Sequence, residues 1–211
     1  MQQIGTEPVR IPRIFITGPA FSRLRWYIEL CPFEVSGLGT VAPHGEDLLV
    51  TDIFLVRQRA SDTDTELDSQ AVVDHLLQVL QRGEDPSALR VWWHSHADGD
   101  IYWSHTDEQT IERFQIDQLI SIVGNRRLNF GCRLDQFSPK RITVNNLPLL
   151  PLPDKCPGDE ESVGQRIMAE LREKVTLIRR DISLVPEVFL DPSSTLEIPV
   201  AFEELVPPPE A

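Results

Sequence analysis

Hydrophobic residues recur along the chain with two spacings, which predict helices alternating with strands. Apolar residues at every third or fourth position predict helices over about residues 18–31 and 104–115, and another that ends at Gly83. Short apolar runs predict strands at about residues 13–17, 34–42, 48–57, 89–93, 118–124, 128–135 and 141–146. This interleaving indicates an α/β fold with a mixed sheet flanked by helices.

Polar and proline-rich segments divide this pattern. Residues 58–68 are polar and acidic, which predicts an exposed loop. Four prolines between residues 148 and 157 predict a boundary between a domain over 1–150 and an extension over 151–211. The extension contains a predicted helix over about 160–180, whose apolar stripe must cover either the domain or a partner. A proline-rich, acidic tail follows.

Composition excludes several classes of function. The 211 residues include 33 acidic and 20 basic side chains, and the net charge of −13 argues against a nucleic-acid or membrane partner. The first residues have neither the basic nor the apolar region of a signal peptide, so we expect a cytoplasmic protein. Three cysteines without C-x-x-C spacing indicate reduced thiols rather than disulfides or a cysteine zinc site.

Candidate chemistry is concentrated after the strand predicted at 89–93. His94 and His96 are two residues apart, and strand side chains alternate, so both imidazoles point to one face. Asp107 follows in the first turn of the next helix and can complete a set of three ligands. Three protein ligands leave the fourth tetrahedral position of Zn²⁺ open for water, as in catalytic zinc sites.

Simpler interpretations exist for the same residues. Ser104 and Asp107 also form a capping-box pattern at a helix start, which needs no metal, and histidines near a strand end are often surface residues. The full pattern H-x-H-x₇-S-x₂-D is expected only about 0.0006 times in a shuffled chain of this composition. A metal site is therefore the stronger hypothesis.

The pattern from His94 to Asp107 resembles that of the JAMM (MPN-plus) zinc metalloproteases. Upstream, Glu34-Val-Ser-Gly-Leu-Gly39 resembles the family's strand that carries an essential glutamate, and the resemblance covers about residues 12–150. It implies the family's layered fold, which is similar to that of cytidine deaminases. It also implies zinc-dependent cleavage after the C-terminal glycine of a ubiquitin-like protein, in deconjugation or precursor processing.

The resemblance further implies a role for each matching residue. His94, His96 and Asp107 would bind one Zn²⁺ with a water, Glu34 would be the general base, and Ser104 would stabilise the oxyanion. The family commonly has a proline after the second histidine, where this chain has Ala97. The chain also lacks the long insertions that clamp ubiquitin in eukaryotic members, and so is similar to the prokaryotic branch, whose members accompany E1-like and E2-like enzymes.

Two tryptophans border the predicted ligands. Trp92 shares the strand face of the histidines and Trp103 directly precedes Ser104, so either is a candidate wall of a substrate groove as well as a core residue. Two other functions stay open. One is an MPN-type binding scaffold without hydrolysis, and the other is a peptidase that releases an amino acid from a sulfur-carrier protein.

Overall fold

The computed structural model describes residues 10–114, 116–153 and 160–178, which form a mixed α/β structure. The helices are α1 (Gly18–Leu30), α2 (Ser69–Gln81), α3 (His105–Glu112) and α4 (Glu160–Lys174). The strands are β1 (Ile14–Ile16), β2 (Ser36–His44), β3 (Asp47–Leu55), β4 (Gln58–Ala60), β5 (Thr65–Leu67), β6 (Val91–Ser95), β7 (Gln118–Gly124), β8 (Phe130–Gln136), β9 (Ile142–Leu147), β10 (Leu149–Pro151) and β11 (Val175–Leu177).

Eight of these strands form one mixed sheet in the order β10-β1-β3-β2-β6-β7-β8-β9. Strand β6 lies inside the sheet, antiparallel to β2 and parallel to β7, and all five of its residues are buried. Helices flank both faces of this sheet. The fold class predicted from the hydrophobic pattern is therefore confirmed at the level of a mixed sheet flanked by helices.

The two faces of the sheet carry separate hydrophobic clusters. Residues of α1 and α4 pack on one face with Trp93, while α2 and α3 pack on the other with Trp92. Because side chains alternate along β6, neighbouring tryptophans serve opposite cores. The apolar stripe of α4 contributes Val163, Ile167 and Leu171 to the first core, so this helix packs on its own chain.

The segment predicted as a loop over 58–68 contains two short strands, so that prediction was wrong. β4 and β5 pair with each other, and β11 pairs with β4. The side chain of Gln58 is buried and exchanges hydrogen bonds with the backbone of Ser36, at 2.8 Å from its N–H and 2.7 Å from its C=O. Three-residue strands anchored by a polar side chain produce no hydrophobic periodicity, which explains the error.

The C-terminal part differs from its prediction in one further respect. Helix α4 ends at Lys174, and Val175, predicted to extend the helical stripe, begins β11. Cys156 and the predicted tail lie outside the described residues, whereas Cys31 and Cys132 are buried free thiols. Within the described ranges, no helix is long and apolar enough to cross a membrane.

Candidate metal centre

His94, His96 and Asp107 come together where β6 ends and α3 begins. Nε2 of His94 lies 3.1 Å from Nε2 of His96, and the two nitrogens lie 3.2 and 3.6 Å from the two carboxylate oxygens of Asp107. All three residues are buried, with exposed fractions of 2%, 6% and 7%. The structure therefore brings together three ligating groups that are up to 13 positions apart in sequence.

His94 is held by aromatic packing. Its ring stacks on Trp92, with centroids 4.5 Å apart and planes 18° from parallel, and lies 5.8 Å from the ring of Trp103. Its Nδ1 has no hydrogen-bond partner within residues 10–114, 116–153 and 160–178. Burial lowers the pKa of His94, which favours the neutral imidazole that a metal requires.

His96 is held by hydrogen bonds just beyond the end of β6. Its backbone N–H donates to the carbonyl of Gly124 at 2.9 Å, which continues the pairing of β6 with β7. Its Nδ1 lies 2.8 Å from the carbonyl oxygen of Asp100. Because a carbonyl only accepts hydrogen bonds, Nδ1 carries a proton, and in the neutral imidazole Nε2 therefore presents a lone pair to the site.

Asp107 fits both interpretations of the sequence pattern, the helix capping box and the metal ligand. It completes a capping box, since its carboxylate accepts from the Ser104 N–H at 2.7 Å and its own N–H donates to the Ser104 hydroxyl at 3.1 Å. Burial alone would raise the pKa of Asp107, but the neighbouring imidazoles of His94 and His96 and the hydrogen bond from Ser104 outweigh it and hold the pKa below its usual range. The same carboxylate therefore caps α3 and faces both imidazoles as an anion.

These three residues fit a divalent metal ion such as zinc. Ligand atoms bound 2.0–2.1 Å from a tetrahedral zinc lie about 3.3–3.4 Å from one another, close to the separations found here. A neutral imidazole, a second one with its lone pair fixed inward and a carboxylate are a usual donor set for this metal. Without a cation, several acceptors would face each other in a buried site, which is unfavourable.

Glu34 lies next to this group although it is 60 positions from His94 in sequence. Strand β2 begins two residues later and pairs Ser36 with His94. Burial raises the pKa of the Glu34 carboxyl to about 7; the electrostatic effect of His96 opposes this shift, and the effects of Asp107 and Asp64 add to it. A carboxyl with such a pKa can both accept and release a proton near neutral pH.

Ser95, between the two histidines, is the link that sequence reasoning missed. Its hydroxyl accepts from the N–H of Val35 at 3.0 Å, and its own N–H donates to the Val35 carbonyl at 2.8 Å. Ser95 is fully buried and points away from the ligands, as strand alternation requires. It therefore ties the residue after Glu34 to the strand that carries the ligands.

The glycines that follow Glu34 allow this close approach. A Cβ on Gly37 would lie 2.2 Å from the carbonyl oxygen of Phe54 and 2.7 Å from the indole of Trp93. That indole donates hydrogen bonds to the carbonyls of Leu38 and Phe54 at 3.2 and 3.3 Å. A larger residue at position 37 would push β2 away from β6, and Glu34 with it.

An open pocket of about 400 Å³ borders the site at His96. Glu34 and His96 line it together with Thr63 from the β4–β5 turn and Tyr102 from the loop before α3. Tyr102 is 58% exposed and meets the His96 ring edge-on, with centroids 4.8 Å apart. The sequence pattern singled out neither residue, because both belong to turns that carry no periodicity.

The two tryptophans proposed as groove walls take different positions. Trp92 is 3% exposed and lies under His94, while Trp103 is half-buried and packs against the guanidinium of Arg133 at 4.9 Å from its ring centroid. Arg133 is itself buried, and it binds Asp135 at 2.8 Å and forms a short ion pair with Glu108. A charged network therefore backs the first turn of α3, next to Asp107.

Comparisons with known proteins give a likeness to solved structures. No family model and no curated protein matches this chain. The chain is similar to the solution structure of protein DSY2949 from Desulfitobacterium hafniense, with a TM-score of 0.49 and 12% identity, over 67% of this chain and 94% of that one. The function is therefore inferred from the geometry of the site.

Proposed function

We propose that this protein is a zinc-dependent peptidase or isopeptidase that cleaves after the C-terminal glycine of a ubiquitin-like protein. The observation that carries the proposal is the buried group of His94, His96 and Asp107 next to Glu34, with Glu34 and His96 lining one pocket. The resemblance of the same residues to the JAMM pattern supplies the substrate class. E1-like and E2-like enzymes would then be functional partners.

Each residue has a role that its surroundings support. A zinc ion held by the two histidines and Asp107 would supply a Lewis acid that polarises a carbonyl and lowers the pKa of a water molecule. Glu34, with its raised pKa, would accept a proton from the attacking water and return it to the leaving amine. Ser104, whose oxygen already accepts from the N–H of Asp107, would donate its own hydrogen to the developing oxyanion.

The shape of the pocket is consistent with an extended peptide. It is open, and the exposed ring of Tyr102 borders it on one side. A tail that ends in small residues such as glycine can lie against such a surface without displacing the side chains that form it. Trp103 packs near the ring of His94 rather than lining this pocket.

Metal content and the Glu34→Gln variant test the proposal. We expect purified protein to contain about one zinc per chain, and Glu34→Gln to keep the zinc while cleavage falls by about 10²- to 10⁴-fold. The substrates would be a β-grasp protein ending in Gly-Gly fused to a reporter and, in parallel, a sulfur-carrier–cysteine adduct. Glu84→Gln, which replaces an exposed glutamate paired with Arg82, is the control.

Three outcomes separate the candidate functions. Full activity after removal of the metal would contradict the proposal. Zinc binding without cleavage of either substrate would favour the binding scaffold. Cleavage of the cysteine adduct alone would favour release of an amino acid from a carrier protein.

A further inference from the structure

The loop over residues 97–100 provides the hydrogen-bond acceptor for the imidazole ring of His96. The Asp100 carbonyl accepts the Nδ1 proton at 2.8 Å, and this contact decides which ring nitrogen keeps a lone pair. A hydrogen bond of this kind, from the outer nitrogen of a ligating histidine to a carbonyl, orients the ring and raises its basicity. The position of this loop therefore bears directly on metal binding.

The loop has little internal support. Its tightest contact is a hydrogen bond from the Gly99 N–H to the His96 carbonyl at 2.6 Å. The side chains of Asp98 and Asp100 are 75% and 88% exposed, so they bury almost nothing. Ala97 adopts φ of +41°, a conformation that disfavours residues with a side chain. External contacts must hold such a segment in place.

Those contacts come from the turn between β7 and β8. Asn125 donates from Nδ2 to the Gly99 carbonyl at 2.9 Å, and the backbone N–H of Arg126 donates to the Ala97 carbonyl at 2.8 Å. Arg127 also donates to the Gly99 carbonyl, at 3.1 Å, and to the Asp100 carboxylate at 2.8 Å. Two of these contacts meet at the peptide that precedes Asp100.

Asn125 differs from the two arginines in being buried. It is 1% exposed, whereas Arg126 and Arg127 have exposed side chains. Its Oδ1 accepts the N–H of Asn129 at 3.1 Å, and its own backbone bonds to Leu128 and Asn129. One end of this side chain is thus fixed in its own turn, and the other end holds the loop after His96.

We propose that Asn125 is a positioning residue for the metal site: through Gly99 it places the Asp100 carbonyl, and thereby sets the tautomer and orientation of His96. This inference rests on the metal-binding part of the proposed function and is independent of the substrate. Asn125 is neither one of the three ligating residues nor part of the pocket lining, so its effect is on how strongly His96 can bind.

The Asn125→Asp variant tests this with almost no change in shape. An aspartate keeps the acceptor for the Asn129 N–H but places an oxygen against the Gly99 carbonyl, where the amide had a donor. Asn129→Asp is the matched control, because it adds the same charge to the same turn at an exposed residue that is tied in through its backbone. Zinc affinity would be measured by competition with a chromophoric chelator.

We expect Asn125→Asp to bind zinc about 10- to 100-fold more weakly than Asn129→Asp, which is the usual cost of removing an outer contact of a metal ligand. The ¹⁵N shifts of His96 in metal-free protein should report the Nδ1–H tautomer in the wild type and a mixture in Asn125→Asp. Equal zinc affinity of the two variants would overturn the inference. So would weaker binding that only follows a loss of thermal stability while the tautomer stays unchanged.

If Asn125→Asp does not fold, the ¹⁵N shifts of His96 in metal-free wild-type protein remain a sufficient test. An Nε2–H tautomer of His96 in the metal-free wild type would overturn it. Failure of the wild type to bind zinc would contradict the proposed function, while the tautomer comparison would still test the role of Asn125.

Discussion

The two histidines of the candidate metal centre are two residues apart, yet two different regions hold them. The sheet region holds His94, which stacks on buried Trp92 and lies next to Trp103, a ring that packs on Arg133. The loop region holds His96, whose ring depends on the Asp100 carbonyl and on the turn that contains Asn125. One ligand is placed by core packing and the other by a few polar contacts.

The two regions should therefore control different properties, namely stability and metal affinity. Side chains around His94 belong to the hydrophobic core, so changes there alter the free energy of unfolding together with the site. Contacts around His96 involve an exposed loop, so changes there should alter metal affinity with little effect on global stability. Variants in the two regions should therefore differ in whether stability or metal affinity changes.

Arg133→Met should have the largest effect, and mainly on stability. It removes the buried cation that pairs with both Asp135, which is fully buried, and Glu108. Losing one partner of a buried ion pair costs about 3–5 kcal/mol, and we expect the lower end because Arg141 and Thr143 still contact Asp135. Urea denaturation would measure this.

Arg141→Met is the control, because Arg141 is more exposed and should cost about 1 kcal/mol or less. Weaker zinc binding by Arg133→Met without any loss of stability would contradict the distinction between the two regions.

The stability of the wild type should also fall in acid through the same network. Burial alone would raise the pKa of Asp135, but Arg133, Thr143 and Arg141 outweigh it and lower the pKa; hydrogen bonding to Arg133 lowers the pKa of Glu108. Groups with lowered pKa values stabilise the fold above their unfolded pKa, about 4, and lose that contribution as the pH falls through their folded values. Denaturation below pH 4 should therefore show a smaller pH dependence in Arg133→Met.

Ala97→Pro should have an intermediate effect, and mainly on metal affinity. Proline fixes φ near −65°, whereas Ala97 has φ of +41°, so the loop that carries the Asp100 carbonyl would have to rearrange. We expect zinc binding to weaken by about tenfold or more, measured by chelator competition. Ala97→Gly tolerates positive φ and should stay within about twofold of the wild type. Unchanged affinity in the proline variant would show that this loop does not govern His96.

Arg126→Gln should have the smallest effect. The ion pair with Asp98 is exposed at 3.3 Å, and such pairs contribute about 0–1 kcal/mol. The hydrogen bond from the backbone N–H of Arg126 to Ala97 remains, so zinc affinity should stay within about twofold of the wild type. A loss of zinc affinity as large as that expected for Asn125→Asp would mean that the Arg126–Asp98 ion pair, rather than the buried Asn125 amide, holds the loop. Raising the salt concentration would then weaken zinc binding in the wild type as well.

Local patterns predicted most of the regular structure correctly. All seven predicted strands and the three helices predicted before the boundary each correspond to an observed element, with ends displaced by a few residues. The exception before the predicted boundary is the β4–β5 hairpin, whose buried Gln58 pairs with a distant backbone rather than following an apolar pattern. Short polar strands are recognised only through their partners.

Local sequence patterns were sufficient to predict the parts of the site that depend on the spacing of residues within a strand or helix. Alternation along a strand places His94 and His96 on one face, and helix geometry places Ser104 and Asp107 in one capping box. These relations involve neighbours within one or two elements, so they can be read before the fold is known.

The surroundings of those residues depend on the tertiary fold. The pairing of β2 with β6 brings Glu34 to the histidines, and the β7–β8 turn brings Asn125 to the loop after His96. Arg133 reaches the first turn of α3 from the far side of β7. Such contacts depend on the order of strands in the sheet, which no local period encodes, and so the support of the metal ligands became visible only in the fold.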